Sequence, residues 1–330
     1  MANQHSAAII GTGCYLPEKI LTNDDFAKFL DTSDEWITTR TGIKQRHIAA
    51  DDQSTADLAF LAAQNAIKDA GIDQNQVDLL IVATFTPEMP LPATACLVQQ
   101  RLGLNECAAF DLAAACSGFV YALSVASQFI QNGIYKTALV IGAETMSRFT
   151  DYQDRGSCIL FGDGAGAVVL SANGHAQSGV RYTKMAADGS GWELLNIPSG
   201  GAKRPASAET VQKREHYIKL NGREIYKFAV HKMQLLIEDA MKNCNLGVND
   251  IDLIVPHQVN KRIIDSACRH LGFPAEKIFL NIDRMGNTSA ASIPIALDEA
   301  RREGKINPGD TVLLIAFGAG LTWASAVITF

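Results

Sequence analysis

The sequence carries no signal for nucleic-acid binding or for membrane insertion. Its 330 residues include 29 Lys and Arg against 35 Asp and Glu, a formal net charge of -6, and no Lys/Arg-rich run. A nucleic-acid surface normally needs a basic excess, and a helix that spans a bilayer needs ~18 consecutive apolar residues, which no segment approaches. We therefore expect neither a nucleic acid nor a membrane as a partner.

The cysteines lack the pattern of a disulfide framework or a metal site. Their number is seven, which is odd, and no Cys-x-x-Cys pair occurs. Disulfide frameworks use even numbers, and zinc sites use closely spaced pairs. The N-terminal MANQHSAAII also lacks the basic, apolar and small-residue regions of a secretory signal. We expect reduced thiols, no metal and a cytoplasmic location.

Phosphate-binding loops are missing as well. The segment GTGCYLPE (11–18) lacks the third glycine of a dinucleotide fingerprint, and no G-x-x-x-x-G-K-[ST] sequence occurs. The sequence therefore predicts no nucleotide-hydrolysis site.

The chain contains an internal duplication. VDLLIVA (77–83) returns as IDLIVPH (251–257), and KTALVIGAE (136–144) returns as DTVLLIAFG (310–318), each 174 positions later. Such self-similarity indicates a repeated architecture. We predict two similar halves, residues 1–174 and 175–330, packed as one unit.

Each half alternates strands with helices. In the first half we predict helices near 93–102 and 116–132, with strands near 78–84, 107–112 and 137–143. Repeated βαβ units predict an α/β fold with a parallel-rich sheet covered by helices.

Cys116 stands where the second of these helices begins, in DLAAACSGFVYALSVA (111–126). The helix is apolar almost all round, so we expect it to be buried. Free backbone N–H groups and the helix dipole favour a thiolate there, and a cysteine pKa in such a place falls to about 3.5–7.5. Cys116 is thus a candidate nucleophile, although a buried cysteine also serves as a small packing residue.

The duplication brings two polar residues toward Cys116. Asn287 in MGNTSAAS (285–292) occupies nearly the place in the second half that Cys116 occupies in the first, and His257 ends the repeated strand. Strand C-terminal ends are where α/β sheets build their sites. We expect the three to converge, while Asn287 as a helix N-cap and His257 as a buried structural histidine stay open.

The sequence resembles the 3-oxoacyl-[acyl-carrier-protein] synthase III family of the thiolase superfamily nearly from end to end. The most specific segments are DEWITTRTGIKQRHIA (34–49), AAACSGF (113–119), DRGSCILFGDGAGAVVL (154–170), VPHQVNKRII (255–264), GNTSAAS (286–292) and AFGAGLTWASA (316–326). The resemblance implies a duplicated five-layer αβαβα sandwich, a homodimer, and initiation of fatty-acid biosynthesis. The implied reaction condenses an acyl-CoA primer, with acetyl-CoA as the first candidate, with malonyl-acyl-carrier-protein, releasing CoA and carbon dioxide.

By this resemblance Cys116 accepts the acyl group, His257 and Asn287 assist decarboxylation, and the backbone N–H groups of Cys116 and Ala319 form an oxyanion hole. The chemistry is consistent with these residue types, because a thiolate attacks a thioester and neutral N–H donors stabilise an enolate oxygen. The implied reaction uses a coenzyme A thioester as substrate and needs no metal or redox cofactor.

The resemblance also implies binding surfaces. It assigns the coenzyme A portion to Trp36, Arg40, Arg155, Gly222 and Asn260, and the acyl carrier protein to Lys227, Gln258, Arg262 and Arg269. For Lys227 and Arg269, ordinary solvated surface charge is an equal alternative. Leu91 occupies a place often held by Phe at the acyl pocket across the dimer, and Ala319 replaces a Gly.

Three other functions remain as alternatives. A related condensing enzyme could load an unusual starter for a polyketide or a quinolone. A cysteine hydrolase also uses Cys, His and Asn, but the C-G-[SA]-C-[WY] signature is absent and hydrolysis leaves the duplication unexplained. A non-catalytic acyl-CoA-binding scaffold predicts no covalent acyl adduct.

Overall fold

The computed structural model describes residues 6–172 and 178–330. In chain order the strands are β1 (Ala8–Tyr15), β2 (Lys19–Thr22), β3 (Gln45–Ile48), β4 (Leu79–Ala83), β5 (Ala108–Leu112), β6 (Thr137–Thr145), β7 (Asp163–Ser171), β8 (Gly179–Ala187), β9 (Leu195–Asn196), β10 (Lys219–Leu220), β11 (Leu253–Pro256), β12 (Thr311–Gly318) and β13 (Thr322–Thr329). The α-helices are α1 (Asn23–Ala27), α2 (Asp34–Thr41), α3 (Thr55–Ala70), α4 (Thr94–Leu102), α5 (Gly118–Gln131), α6 (Arg155–Cys158), α7 (Ala208–Gln212), α8 (Gly222–Cys244), α9 (Lys261–His270), α10 (Ile282–Met285) and α11 (Ser292–Arg302).

Two sheets and three helical layers alternate. The first sheet has the order β1-β7-β6-β4-β5 and the second β11-β12-β13-β8. Apolar side chains of α5 and α11 pack between the two sheets in one continuous core. Helices α3 and α4 cover the outer face of the first sheet, and α8 and α9 cover that of the second. This is the predicted five-layer αβαβα sandwich.

The duplication is visible in the backbone. The two sheets have equivalent strand orders. In the first sheet β1 lies beside β7, which lies beside β6, and in the second β8 lies beside β13, which lies beside β12. Helices α5 and α11 begin at Gly118 and Ser292, and strands β6 and β12 begin at Thr137 and Thr311, which reproduces the 174-residue spacing of the sequence. The predicted boundary between 174 and 175 falls within 173–177, outside the described residues, and stays a prediction.

The expectation of a parallel-rich sheet is wrong in part. Strands β4, β5 and β6 are parallel, as are β11 and β12, but β7 and β13 run antiparallel to their neighbours. For β13 the physical reason is the connection, since β12 and β13 are joined by a short turn rather than by a crossover helix.

Two strained turns bring the halves together at the centre. Positions 116 and 290 are equivalent in the two halves. The residue before each of them has a positive φ, 47° at Ala115 and 51° at Ser289. Non-glycine residues in this left-handed region are costly and cluster at functional sites. A Cβ on Gly118 would lie 3.5 Å from the Ala290 side chain, so the two helix starts are in contact.

A long irregular segment connects β9 (Leu195–Asn196) to β10 (Lys219–Leu220). It contains the short helix α7, and Ile218 at its end donates its N–H to the Phe149 carbonyl at 2.9 Å. Across the described ranges, no helix combines the length and the apolar character needed to cross a membrane.

Candidate active site

A cavity of about 320 Å³ lies where the strained turns meet the ends of β11 and β12. Most of its walls are apolar, with Phe85, Met146, Phe161, Leu195, Ile197, Ile218, Leu220, Tyr226, Phe228, Val259, Ile263 and Phe317 among the lining residues. Cys116, His257 and Asn287 all line the same cavity. The structure therefore brings together the three residues predicted to converge.

Cys116 lies in the 3₁₀ turn Ala115–Ser117, immediately before α5 rather than in its first turn. It is 8% exposed. Burial raises the pKa of the Cys116 thiol to about 12, and the polar environment of the Ser289 hydroxyl and the backbone acts against this rise. The predicted low pKa is wrong, because removal from water disfavours the thiolate more than the helix start favours it.

His257 follows β11 and is completely buried. Burial lowers the pKa of its imidazole to about 3, so the ring is neutral at pH 7. Its Nδ1 lies 2.7 Å from the Ser292 hydroxyl, which has no second partner among residues 6–172 and 178–330. If the ring donated, the buried hydroxyl hydrogen would lack an acceptor, so we assign Ser292 as the donor.

This tautomer places the ring hydrogen on Nε2. Within the described part of the chain, that buried atom has no hydrogen-bond partner. The Phe317 ring packs edge-on against His257, with ring centroids 5.8 Å apart. His257 thus offers a neutral, unpaired N–H donor in an apolar cavity.

Asn287 is fixed at both backbone and side chain. Its N–H donates to the Leu160 carbonyl at 2.8 Å, and its carbonyl accepts from Gly162 at 3.0 Å. The Ser289 backbone N–H donates to Oδ1 at 2.9 Å. The amide is thereby oriented so that its Nδ2 hydrogens can donate to a ligand. The side chain does not cap α11, so the N-cap interpretation is wrong.

The turn after β12 lies against the Cys116 backbone. A Cβ on Gly318 would come within 2.7 Å of the Cys116 amide nitrogen, so only glycine permits this approach. Ala319 follows directly and lines the cavity together with Cys116. The two predicted oxyanion donors therefore belong to adjacent segments of one wall.

Comparison with known proteins agrees with this geometry. The model of the family described as 3-oxoacyl-[acyl-carrier-protein (ACP)] synthase III matches residues 110–189, and that of its C-terminal part matches residues 241–330. The chain is 51% identical to the beta-ketoacyl-[acyl-carrier-protein] synthase III of Caldanaerobacter subterraneus subsp. tengcongensis, over 99% of each chain. The chain belongs to the 3-oxoacyl-[acyl-carrier-protein] synthase III family. It is a condensing acyltransferase.

Solved structures show the same fold. The crystal structure of 3-oxoacyl-[acyl-carrier-protein] synthase III from Aquifex aeolicus VF5 is 46% identical, with a TM-score of 0.91 over 98% of this chain and 100% of that one. The priming beta-ketosynthase of the R1128 polyketide pathway is 32% identical, with a TM-score of 0.91 over 100% of this chain and 98% of that one. The family resemblance and the thiolase-like fold predicted from the sequence are confirmed.

In this synthase III family member, the residues predicted to contact coenzyme A fall into two groups. Gly222 and Asn260 line the cavity. Outside its lining, the guanidinium carbons of Arg40 and Arg155 lie 4.4 Å and 4.9 Å from the centroid of the Trp36 ring. Asn260 links the groups, since its Nδ2 donates to the Arg40 carbonyl at 3.0 Å.

Three of the four residues predicted to contact the carrier protein are exposed near one another in the chain's outer helices. Arg262 and Arg269 lie on α9, and Lys227 on α8 pairs with Glu224 at 2.9 Å. The Arg262 guanidinium is 5.8 Å from the ring of Tyr226, which lines the cavity. Arg262 therefore stands beside the cavity wall.

The fourth residue predicted to contact the carrier protein, Gln258, is buried, and its assignment is wrong. It is 1% exposed, its Nε2 donates to the carbonyls of Pro256 and Phe279, and its Oε1 accepts from the backbone of Asn281 and Ile282. A buried amide whose donors and acceptor are used internally offers nothing to a partner surface. We therefore exclude Gln258 from the carrier-protein contacts.

Leu91 does not line the cavity of its own chain. Its side chain is 83% exposed, in the segment between β4 and α4. The residue of that segment that does line the cavity is Phe85, which the sequence analysis missed. The entry of Leu91 into the pocket of a second subunit stays a prediction.

The sequence analysis also missed three polar residues around the site. Ser292 and Ser289 belong to the GNTSAAS segment, and Glu144 is completely buried near the end of β6. A single acidic residue in the otherwise apolar strand TALVIGAET was a usable signal, because an unpaired carboxylate is almost never fully buried. In the described portions of the chain, no group of three His, Cys, Asp or Glu side chains is arranged to hold a metal ion.

Proposed function

We propose that the protein transfers the acyl group of an acyl-CoA, with acetyl-CoA as the first candidate, to Cys116 and condenses it with malonyl-acyl-carrier-protein. The products are 3-oxoacyl-acyl-carrier-protein, CoA and carbon dioxide, and the reaction initiates fatty-acid biosynthesis. The observation that carries the proposal is a thiol, a neutral imidazole and an oriented amide on one apolar cavity. The names of the relatives support it.

The first half-reaction is acyl transfer. The Cys116 sulfur attacks the thioester carbonyl, and negative charge develops on the carbonyl oxygen. The N–H groups of Cys116 and Ala319 stabilise that oxygen, since adjacent segments of the wall present both. Expulsion of the CoA thiolate leaves a thioester on Cys116.

The second half-reaction is decarboxylation and condensation. Loss of carbon dioxide from the malonyl group leaves an enolate, whose oxygen accepts hydrogen bonds from His257 Nε2 and Asn287 Nδ2. Both donors are neutral, and both lie on the wall of a largely apolar cavity. The carbanion carbon then attacks the acyl carbonyl on Cys116, and the sulfur leaves as the thiolate.

The two groups of coenzyme A residues define an entry path. Trp36 with Arg40 and Arg155 offers a flat ring and two cations outside the cavity for an adenine and its phosphates. Asn260 and Gly222 lead from there into the apolar interior, which suits the pantetheine arm. The coenzyme is a substrate portion, and the proposed steps use no other cofactor.

Intact-protein mass spectrometry tests the proposal directly. The protein is mixed with acetyl-CoA and longer acyl-CoAs, and malonyl-acyl-carrier-protein is added afterwards. We expect one added acyl group per chain, which disappears when the carrier-protein thioester is supplied and reappears in a 3-oxoacyl product. Absence of any covalent adduct would support a binding scaffold, and loss of the adduct to water alone would support a hydrolase.

A starter-loading synthase is the second candidate. The similarity to a priming ketosynthase of a polyketide pathway favours it, and so does the largely apolar lining of the cavity. The same acyl-CoA panel separates the two, because an enzyme of primary fatty-acid synthesis prefers the short primer, whereas a starter-loading enzyme prefers its own longer or branched one.

We propose further that the protein is a cytoplasmic homodimer. All seven cysteines are free thiols, which suits a reducing compartment. Met89 and Leu91 expose apolar side chains, 42% and 83% accessible, on one segment between β4 and α4. A second subunit is the partner that would cover them and receive Leu91 at its acyl pocket.

Leu91→Phe is expected to shift the primer preference. A flat ring and a branched aliphatic leave different room in a pocket, but one methylene is worth only about 1–3 kcal/mol, so the change is graded. Relative rates of Cys116 acylation across a series of acyl-CoA chain lengths measure it. Ile134→Phe, at another exposed apolar position, is the control. An unchanged profile for Leu91→Phe removes Leu91 from the pocket.

Arg262→Glu is expected to raise the apparent KM for malonyl-acyl-carrier-protein and to weaken its salt dependence. Arg262 is exposed beside the cavity wall, where a charge steers an acidic partner across a Debye length of about 8–10 Å. Steady-state kinetics at low and high ionic strength measure the effect, and acylation by acyl-CoA should stay near normal. Equal losses with both substrates would show damage to the fold or to the shared cavity.

A further inference from the structure

Phe85 is an aromatic residue of the cavity wall that the two half-reactions do not use. It follows β4 by two residues, is partly buried, and lines the same cavity as Cys116. Its side chain packs in one apolar cluster with Met146, Phe161 and Ile218, which also line the cavity. The cluster offers a continuous apolar surface to a hydrocarbon chain.

A direct contact connects the segment of Phe85 with that of the nucleophile. Ala83 is the last residue of β4, and a Cβ on Gly118 at the start of α5 would lie 3.3 Å from its side chain. Phe85 follows Ala83 by two residues, and Cys116 precedes Gly118 by two. Two residues span at most about 7 Å of extended chain. Phe85 and Cys116 therefore belong to the same part of the cavity wall.

The proposed coenzyme A path reaches the cavity from other elements. Gly222 is the first residue of α8 and Asn260 precedes α9, the two helices that cover the second sheet. Asn260 leads outward, since it donates to the Arg40 carbonyl on α2. Phe85 and Met146 instead follow strands β4 and β6 of the first sheet. Because the acyl and sulfur substituents lie on opposite sides of a thioester carbonyl, an acyl chain points away from the coenzyme and toward the Phe85 cluster.

One buried carboxyl group fixes the backbone at Phe85. The Phe85 N–H donates to Glu144 Oε2 at 3.3 Å. The same oxygen accepts from the hydroxyls of the two flanking residues, Thr84 at 3.1 Å and Thr86 at 2.6 Å. The Thr86 hydroxyl in turn accepts from the Thr145 N–H at 3.0 Å. The backbone cannot withdraw from the cavity without breaking buried hydrogen bonds, which is costly.

A second aromatic ring supports the ring of Phe85. The ring centroids of Phe85 and Phe149 lie 6.4 Å apart, with the planes tilted by 57°. This separation is within the range of favourable aromatic pairs. Phe149 does not itself line the cavity, and its carbonyl accepts from the Ile218 N–H at 2.9 Å. The Phe85 side chain is therefore packed on the side away from the cavity and has little room to turn aside.

We propose that Phe85 closes the end of the acyl pocket and sets the length of the primer that Cys116 accepts. The proposal deepens the acyl transfer proposed above and rests on it. An acyl chain long enough to reach the ring meets a wall that neither its backbone nor its side chain can open, and overpacking against such a wall is unfavourable. Unlike Leu91, Phe85 acts within its own subunit, so its effect does not depend on how the chains associate.

The test measures single-turnover acylation of Cys116 by rapid quench and intact mass, without carrier protein. The acyl donors are acetyl-, butyryl-, hexanoyl- and octanoyl-CoA, and the variants Phe85→Leu and Phe85→Ala shorten the side chain in two steps. We expect the ratio of the octanoyl rate to the acetyl rate to rise at least about 10-fold in Phe85→Ala, the lower end of what one methylene is worth in an apolar pocket. Phe85→Leu should raise the ratio by a smaller factor.

The matched control is Phe129→Leu. Phe129 is also partly buried and also packs against one aromatic ring, that of Tyr135 at 5.5 Å, but it does not line the cavity. Its ratio should equal that of the parent. The ratio within each variant separates specificity from general damage, because a loss of folded protein lowers the extent of acylation by every acyl-CoA alike.

Each outcome decides the proposal. A ratio that rises from the parent through Phe85→Leu to Phe85→Ala, with Phe129→Leu unchanged, supports Phe85 as the end of the pocket. An unchanged ratio in both Phe85 variants, or the same rise in Phe129→Leu, overturns it. If the parent is acylated by none of the acyl-CoAs, the proposed function fails and the pocket assignment fails with it. That result differs from an acylated parent whose ratio does not depend on position 85.

Discussion

Cys116→Ala removes the acyl adduct and abolishes condensation. The cavity holds one thiol, that of Cys116, and the two oxyanion donors belong to the wall around it. Without a sulfur, no covalent intermediate forms and the acyl group stays on coenzyme A. Intact mass after incubation with acetyl-CoA, followed by peptide mapping of the parent, measures the loss and locates the adduct.

The matched control is Cys96→Ala, which removes an exposed thiol that does not line the cavity. It should acylate and condense as the parent does. Peptide mapping that finds the acyl mass on Cys96 or on another cysteine would contradict the assignment of Cys116 as nucleophile, whatever the activity of the alanine variant.

His257→Ala and Asn287→Ala keep acylation and lose condensation. Their N–H groups serve the enolate oxygen, which exists only in the second half-reaction. Removing one such donor typically costs 10²–10³-fold in rate, roughly the effect of one missing oxyanion-hole hydrogen bond. Single-turnover acylation and carbon dioxide release from malonyl-acyl-carrier-protein, measured on the same preparations, separate the steps.

The neutral imidazole gives this prediction a pH signature. Because burial lowers the pKa of His257 to about 3, carbon dioxide release should show no histidine inflection between pH 5 and 8. Ser292→Ala removes the hydrogen bond that sets the tautomer of His257 but keeps the ring. It should therefore reduce condensation less than His257→Ala does. If either donor variant loses acylation as severely as condensation, the division of labour is wrong.

Much of the architecture could be predicted from the sequence. The 174-residue repeat predicted strands β4, β6, β11 and β12, and these begin within two residues of the expected positions. The reason is physical: a strand buried on both faces is a continuous apolar run, and it remains recognisable in a second copy of the pattern. The direction of β7 was not predictable in this way, because an apolar run indicates that a strand is buried but not whether it runs parallel or antiparallel to its neighbours.

The sequence also placed Cys116, His257 and Asn287 together, because the duplication carries a geometric relation between helix starts. Their electrostatics came only from the tertiary structure. A helix start predicted a low pKa for the Cys116 thiol, whereas burial from all sides raises it, and burial is a property of the whole packed molecule.

Long-range contacts decided the rest. Glu144 reaches Ser289 across 145 positions, and His257 reaches Ser292 across 35, separations that no local pattern encodes. The family resemblance assigned Gln258 to the carrier-protein surface together with Arg262. In the folded chain its amide instead donates to the Phe279 carbonyl and accepts from the Asn281 N–H. Local sequence sets which groups are available, and only the folded chain sets which of them meet water, a substrate or one another.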